Sequence, residues 1–282
     1  MNDQASSLRD LVKDSNENTT KIFTVCSGKG GVGKTNISTN LALAFRDLNK
    51  KVLIVDSDHG FANVNILFGV AGRNTMQDVL KGNAELKDVI LEVHGVSIIP
   101  GGNDVVDFEK EPISSEELKR QFESIGYYDI IIVDSSAGIS HSVLSNVIFA
   151  HEIIVITTPE ATALTDAYAL LKNINALKLK SRAKIIINRA LDQEEGYLIY
   201  SRLKAAVDKY LNINLDYVGY LSEDKVVTKS VRAGTPFYLA HPKSEVSADI
   251  RRIAETLLEI EAKIVGSTMT DVFRKFRSIF KR

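Results

Sequence analysis

The sequence predicts an α/β fold built on a doubly wound, mostly parallel sheet. Three observations carry this. Seven short apolar runs recur along the chain, at 22–26, 52–55, 96–99, 130–133, 153–156, 184–187 and 217–220. Helix-like stretches lie between most of them, at 34–49, 115–125, 163–178 and 197–210. The runs are β-branched and apolar at successive positions, which marks strands covered on both faces, as crossover helices cover a parallel sheet.

Taken in order, residues 1–20 form a polar segment in which Leu8, Leu11 and Val12 sit at i, i+3, i+4. That spacing predicts a short helix with one apolar face, suited to docking in a partner groove. The alternating strand and helix pattern then occupies 21–264, and its last helix, 247–264, carries Ile250, Ile253, Ala254, Leu257 and Leu258 at helical spacing. Residues 265–268 read as a hinge. In 269–282, Met269, Val272, Phe273, Phe276, Ile279 and Phe280 make one apolar stripe, and Arg274, Lys275, Arg277, Lys281 and Arg282 occupy the opposite face. A basic amphipathic helix behind a hinge fits an interfacial anchor on an anionic membrane, with Val272, Phe273, Phe276, Ile279 and Phe280 entering the lipid and Arg274 and Lys275 at the headgroups.

Composition narrows the function class. Over 282 residues, 35 Lys+Arg face 36 Asp+Glu, a net charge of -1 that argues against a nucleic-acid coat, and no specific nucleic-acid partner is expected. The charge is segregated: 269–282 hold five basic residues and one acidic. The single cysteine, Cys26, excludes an internal disulfide framework and fits a reducing compartment. No apolar run reaches the roughly 18 residues of a membrane span, and the N-terminus carries no apolar signal. The expected location is cytoplasmic, and peripheral on the membrane's inner face.

The strongest chemical signal is Gly28-Lys29-Gly30-Gly31-Val32-Gly33-Lys34-Thr35, a complete G-x-x-x-x-G-K-[ST] loop between a predicted strand and a predicted helix. Glycines let backbone N–H groups turn inward around phosphate oxygens, and the helix N-terminus adds its positive end. Lys34 should reach the β- and γ-phosphates, and the Thr35 hydroxyl should sit on Mg²⁺. With Asn36, these residues form the expected ATP-phosphate site. Asp56 and Asp58 follow the run 52–55, and carboxylates at the C-terminal end of a parallel strand face the ligand crevice.

The second lysine of the loop, Lys29, gives the K-G-G-x-G-K-T form of a deviant Walker A motif, and the sequence here resembles the MinD/ParA family of dimeric P-loop ATPases. The resemblance implies a homodimer closed by ATP, with Lys29 reaching across to the partner's nucleotide. It gives Asp58 the role of orienting the attacking water and Asp56 an indirect role in Mg²⁺ support. Ile130-Ile-Ile-Val-Asp134-Ser-Ser-Ala-Gly138 resembles the family's Walker B strand, so Asp134 would hold Mg²⁺ through a water. The family often has proline where this chain has Ser136. Asn188 stands where the family places an adenine contact, and Leu221-Ser-Glu223-Asp224 resembles its P-E-D segment near the base, with Ser222 in place of the usual proline.

Within that family, Asp3-Gln4-Ala5-Ser6-Ser7-Leu8-Arg9 resembles the D-Q-A-x-x-L-R motif of the FlhG (YlxH, FleN) branch, which governs flagellar number and placement. The resemblance implies docking on the FlhF GTPase, with Gln4 as the activating residue and Leu8 and Arg9 shaping the helix, and contact with flagellar C-ring switch components. Division-site MinD and DNA-partitioning ParA are the alternatives. MinD usually lacks the leading segment, and ParA needs a basic DNA-binding surface. Outside the family, a metabolic P-loop synthetase would need a second substrate site, and a nucleotide-holding scaffold would have no use for Asp58 and Asp134.

Overall fold

The computed structural model describes residues 20–58, 64–101 and 115–261. The partner segment (Gln4, Leu8, Arg9), the hinge 265–268 and the tail 269–282 lie outside the described residues.

All seven predicted runs are strands, each extended or matched by the structure. In chain order they are β1 (Lys21–Ser27), β2 (Val52–Ser57), β4 (Val96–Ile99), β5 (Ile130–Ala137), β6 (Glu152–Thr157), β7 (Arg182–Ala190) and β8 (Asn214–Ser222). An eighth, β3 (Leu91–Val93), pairs antiparallel with β4 at one edge. The order across the sheet is β3-β4-β2-β5-β1-β6-β7-β8. Apart from β3, every pairing is parallel. The central β1 is thus flanked by β5 and β6, and the chain winds outward from it in both directions.

Alternate residues of the strands feed opposite layers, as the two-residue repeat of a strand requires. On one face Phe23, Val25, Ile54, Ile132, Ile154 and Ile186 meet α1 (Lys34–Asp47) and α11 (Glu245–Glu261). On the other, Ile22, Leu53, Val55, Ile131 and Val133 pack with Met76 and Val79 of α3 (Met76–Leu80), Leu86 and Val89 of α4 (Leu86–Val89), and Phe122 of α5 (Ser115–Ser124). That face continues under α6 (His141–Phe149), α7 (Ala161–Ala176) and α8 (Gln193–Tyr210), where Val143, Val147, Leu170, Leu171, Ile199 and Leu203 bury against Ile153, Val155 and Ile185. Burying a side chain of this size contributes about 1.5–3 kcal/mol, so the two layers hold the strand ends that carry the site. The short helices α2 (Val64–Leu67), α9 (Lys225–Ala233) and α10 (Phe237–Ala240) complete the chain. No described helix is long and apolar enough to cross a membrane.

Candidate functional site: a phosphate loop and its supports

The C-terminal ends of β1, β2 and β5 bring the predicted motifs together. The phosphate loop leaves β1 and enters α1 through Gly33, whose φ of 94° lies in the left-handed region. Helix α1 begins without a side-chain cap and with no acidic residue in its first turn. Its leading N–H groups therefore remain for an anion, and nothing local competes with one.

Two of the loop's carbonyls are held from outside. The Asn188 Nδ2 donates to the Val32 carbonyl at 2.7 Å, and the Arg189 guanidinium donates to the Gly31 carbonyl at 2.9 Å. In a trans peptide the N–H points opposite to the C=O, so the amides of Val32 and Gly33 face the other way, into the loop. Arg189 takes a left-handed φ of 58° to do this, and its own N–H is accepted by Asn188 Oδ1 at 3.0 Å. Asn188, expected near the base, is thus also a brace of the loop. A Cβ at Gly33 would meet Asn188 Nδ2 at 2.4 Å, so the brace itself requires glycine there.

Gly28 has a different reason to be glycine. A Cβ there would lie 2.0 Å from the Asp166 carbonyl oxygen, because α7 crosses the loop at backbone contact distance. Beside it, the Lys29 ammonium donates to Thr162 Oγ1 at 2.8 Å and pairs with Glu160 Oε2 at 3.2 Å. Lys34 is buried.

The three carboxylates differ. Asp134 is fully buried; its Oδ1 accepts from the Ser38 hydroxyl at 2.9 Å, and its Oδ2 has no hydrogen-bond partner among the described residues. Burial pushes its pKa above the ordinary carboxylate value, a shift that the Lys34 charge and the Thr35 and Ser38 hydroxyls oppose and the Asp58 charge reinforces. A buried carboxylate oxygen without a donor, beside a threonine hydroxyl and a lysine, fits a hydrated divalent cation. Asp56 sits opposite Asp134 in register on the neighbouring strand. Its Oδ1 accepts the Asp58 N–H at 3.1 Å and its Oδ2 the Val64 N–H at 3.2 Å, so it orders the backbone on both sides of the segment that follows β2. Asp58 itself is partly exposed at the site's edge. Gly138, at φ 92° with open space where a Cβ would sit, donates its N–H to the Ser27 carbonyl at 2.8 Å and closes the β5 end of the site.

Next to Gly33 and Asn36 opens a cavity of about 490 Å³, lined among others by Asn188, Arg189, Ser222, Glu223, Thr228 and Arg232. Its volume and position suit a nucleoside. Glu223 stands on its rim, whereas Asp224 is the N-cap of α9, its carboxylate accepting the Val226 N–H at 2.9 Å. The wall is pinned from below: buried Asp249 of α11 accepts from both the N–H (2.9 Å) and the hydroxyl (2.5 Å) of Ser222. Sequence reasoning did not reach Ser38, Arg189 or Asp249, because their partners lie far along the chain.

The comparisons agree with this geometry. The AAA domain family matches residues 20–187. The antiactivator FleN of Pseudomonas aeruginosa is 37% identical over 83% of this chain and 85% of its own length. The flagellum site-determining protein YlxH of Helicobacter pylori is 33% identical over 100% of this chain and 98% of its own. Among solved structures, the septum site-determining protein MinD complexed with Mg-ADP from Pyrococcus horikoshii superposes with a TM-score of 0.67 at 31% identity, covering 87% of this chain and 100% of that one. With similarity to YlxH sustained from end to end and a MinD-like sheet behind an intact phosphate loop, the chain belongs to the FlhG (FleN, YlxH) family of MinD/ParA-type P-loop ATPases and is an ATP-hydrolysing enzyme.

Proposed function

We propose that this ATPase regulates flagellar number and placement by cycling between a cytosolic form and an ATP-bound homodimer on the membrane. The observation that carries the reading is the match to YlxH over 100% of this chain, which includes both the 1–20 and the 269–282 segments. In the dimer, Lys29 leaves Glu160 and Thr162 to meet the partner's nucleotide, and Lys34 neutralises the β- and γ-phosphates. Thr35 and Asp134 hold Mg²⁺, with Asp56 in support; the ion supplies charge neutralisation at the phosphate oxygens. Asp58 orients the attacking water, and Asp56 fixes the Asp58 backbone from which that carboxylate extends. Asn188 and Glu223 border the base. Replacing Asp58 by Ala should give a protein that binds ATP, dimerises and does not turn over, read by size-exclusion chromatography and phosphate release; an ATP-bound monomer would overturn the assignment.

One amphipathic helix anchors weakly, but two on a dimer gain through effective concentration, so the membrane step follows the nucleotide. Co-sedimentation with anionic liposomes should therefore require ATP and be lost on deletion of 269–282. The segment 1–20 serves FlhF: a peptide of these residues should stimulate the GTPase of FlhF, and its Gln4→Ala form should not. Absence of any stimulation would move the reading to a septum-site MinD, whose Thermotoga maritima member is 29% identical over 93% of this chain. Contact with flagellar C-ring switch components belongs to the same proposal.

A further inference from the structure

Beneath the hydrolysis centre lies one buried polar contact that the nucleotide site does not use. Ser57, the last residue of β2, and Asn146, on the second turn of α6, are both buried. The Asn146 Nδ2 donates to Ser57 Oγ at 2.9 Å, and the Ser57 hydroxyl lies 3.2 Å from Asn146 Oδ1. The Asn146 carbonyl in turn accepts from the Thr24 hydroxyl of β1 at 2.9 Å. The rest of the buried face of α6 is Val143, Val147 and Phe149.

An apolar pair of the same volume would serve stability about equally well at this place. What a satisfied polar pair adds in an apolar interior is a single relative placement of the two elements that carry it. Those elements are the two ends of the site. Ser57 directly precedes Asp58, whose N–H is already fixed by Asp56. Helix α6 starts at His141, three residues after Gly138, whose loop borders the γ-phosphate position in the proposed site. The pair therefore joins the helix that follows the Gly138 loop to the strand end that bears Asp58.

We infer that Asn146 is a positioning residue for hydrolysis: through Ser57 it sets the placement of Asp58 relative to the loop that ends β5. The inference rests on the water-orienting role proposed for Asp58. Its signature is a loss of turnover without loss of nucleotide binding, because the Ser57 and Asn146 side chains bond to each other and neither donates to nor accepts from the phosphate loop, Asn188 or the base cavity.

The test uses the full-length chain and measures kcat, KM for ATP, ADP affinity and thermal midpoint. Asn146→Ala leaves a hole and an unpaired hydroxyl, so Ser57→Ala/Asn146→Leu, which refills the volume with an apolar pair, decides the matter if the single variant does not fold. Turnover of the folded apolar pair should fall by roughly ten- to a hundredfold, with KM, ADP affinity and midpoint near wild type, in line with the cost of a misplaced catalytic group. Ser57→Thr, which keeps the hydroxyl, should retain turnover close to wild type. A kcat for the apolar pair within about twofold of wild type would overturn the inference, as would a parallel loss of ADP affinity, which would mark a general support of the site. Asp58→Ala runs beside these: if it is slow while the apolar pair is fast, only the positioning role of Asn146 fails; if Asp58→Ala turns over normally, the water-orienting role and the inference resting on it both fail.

Discussion

Asp134 shows how much a single side chain can be held against its own preference. It is buried, one of its oxygens has no hydrogen-bond partner among the described residues, and burial raises its pKa above the ordinary carboxylate value. A carboxyl whose folded pKa exceeds its unfolded one stabilises the fold below the unfolded value and loses that contribution as pH rises through the folded value. Relative to Asp134→Asn, which is neutral throughout, the nucleotide-free wild type should lose stability as pH rises through that window. Thermal melts of both proteins from pH 4 to pH 8 would show it, and the Asn variant should hydrolyse no ATP. The strain resides where function needs it, as stability–activity trade-offs usually have it. Gly28 is constrained differently. A methyl at 2.0 Å from the Asp166 oxygen cannot be relieved by a flexible side chain, since the neighbour is backbone. Gly28→Ala should cost more than about 3 kcal/mol in urea titration, the range of severe overpacking, or prevent folding. Cys26, by contrast, is inert: burial raises its thiol to about 12, so alkylation should wait on unfolding.

At the scale of elements, the sheet was legible because its strands are buried on both faces and therefore read as continuous apolar runs. The strand β3 escaped because Leu91 and Val93, half-buried on either side of exposed Glu92, make no such run. Helix α6 escaped because HSVLSNVIF is β-branched and apolar enough to resemble a strand, and α9 because KVVTKSVRA is short and polar. The site divides along the same line. The phosphate loop announces itself by local spacing, Asp58 by its place at the end of an apolar run, and Asp134 by the resemblance of its strand to a Walker B segment. The supports do not: Ser38 with Asp134, Asn188 with Val32 and Ser57 with Asn146 join residues 96, 156 and 89 positions apart. The Ser222–Asp249 contact explains one departure noted in the sequence. In place of the proline of the P-E-D segment it resembles, this chain has a serine whose N–H and hydroxyl both serve Asp249. Ser222→Pro removes both donors and leaves a buried carboxylate with fewer partners, at a cost of about 1–3 kcal/mol or more. It should lower the thermal midpoint and raise KM for ATP, and Ser222→Pro/Asp249→Ala should recover part of the midpoint.

For the whole molecule, the phosphate loop, Asp58, Gly138 and Asn188 all gather at the C-terminal ends of the strands of one sheet. The described core ends in α11. The sheet's rigidity makes ligand and fold a linked system. A nucleotide that binds only the folded chain raises its stability by about 2.7 kcal/mol at a hundred times its dissociation constant. Mg-ATP should therefore raise the thermal midpoint in a concentration-dependent way, and Lys34→Ala should abolish the rise. The net charge of -1 is a sum over unlike parts, with the positive excess gathered in 269–282. That distribution leaves the core mildly acidic and so disinclined to hold the anionic surface on its own.

The grip of Arg189 and Asn188 on the carbonyls of Gly31 and Val32 has a kinetic reading. A cradle already formed before its guest arrives needs no search for the right shape, so encounter and capture become nearly the same event. Association should then run close to the rate at which nucleotide diffuses to the crevice, and differences in affinity between ATP and ADP should reside in how long each stays. Arg189→Ala would loosen the cradle and should slow capture in stopped-flow fluorescence. The residence time, once phosphate is seated, should change far less.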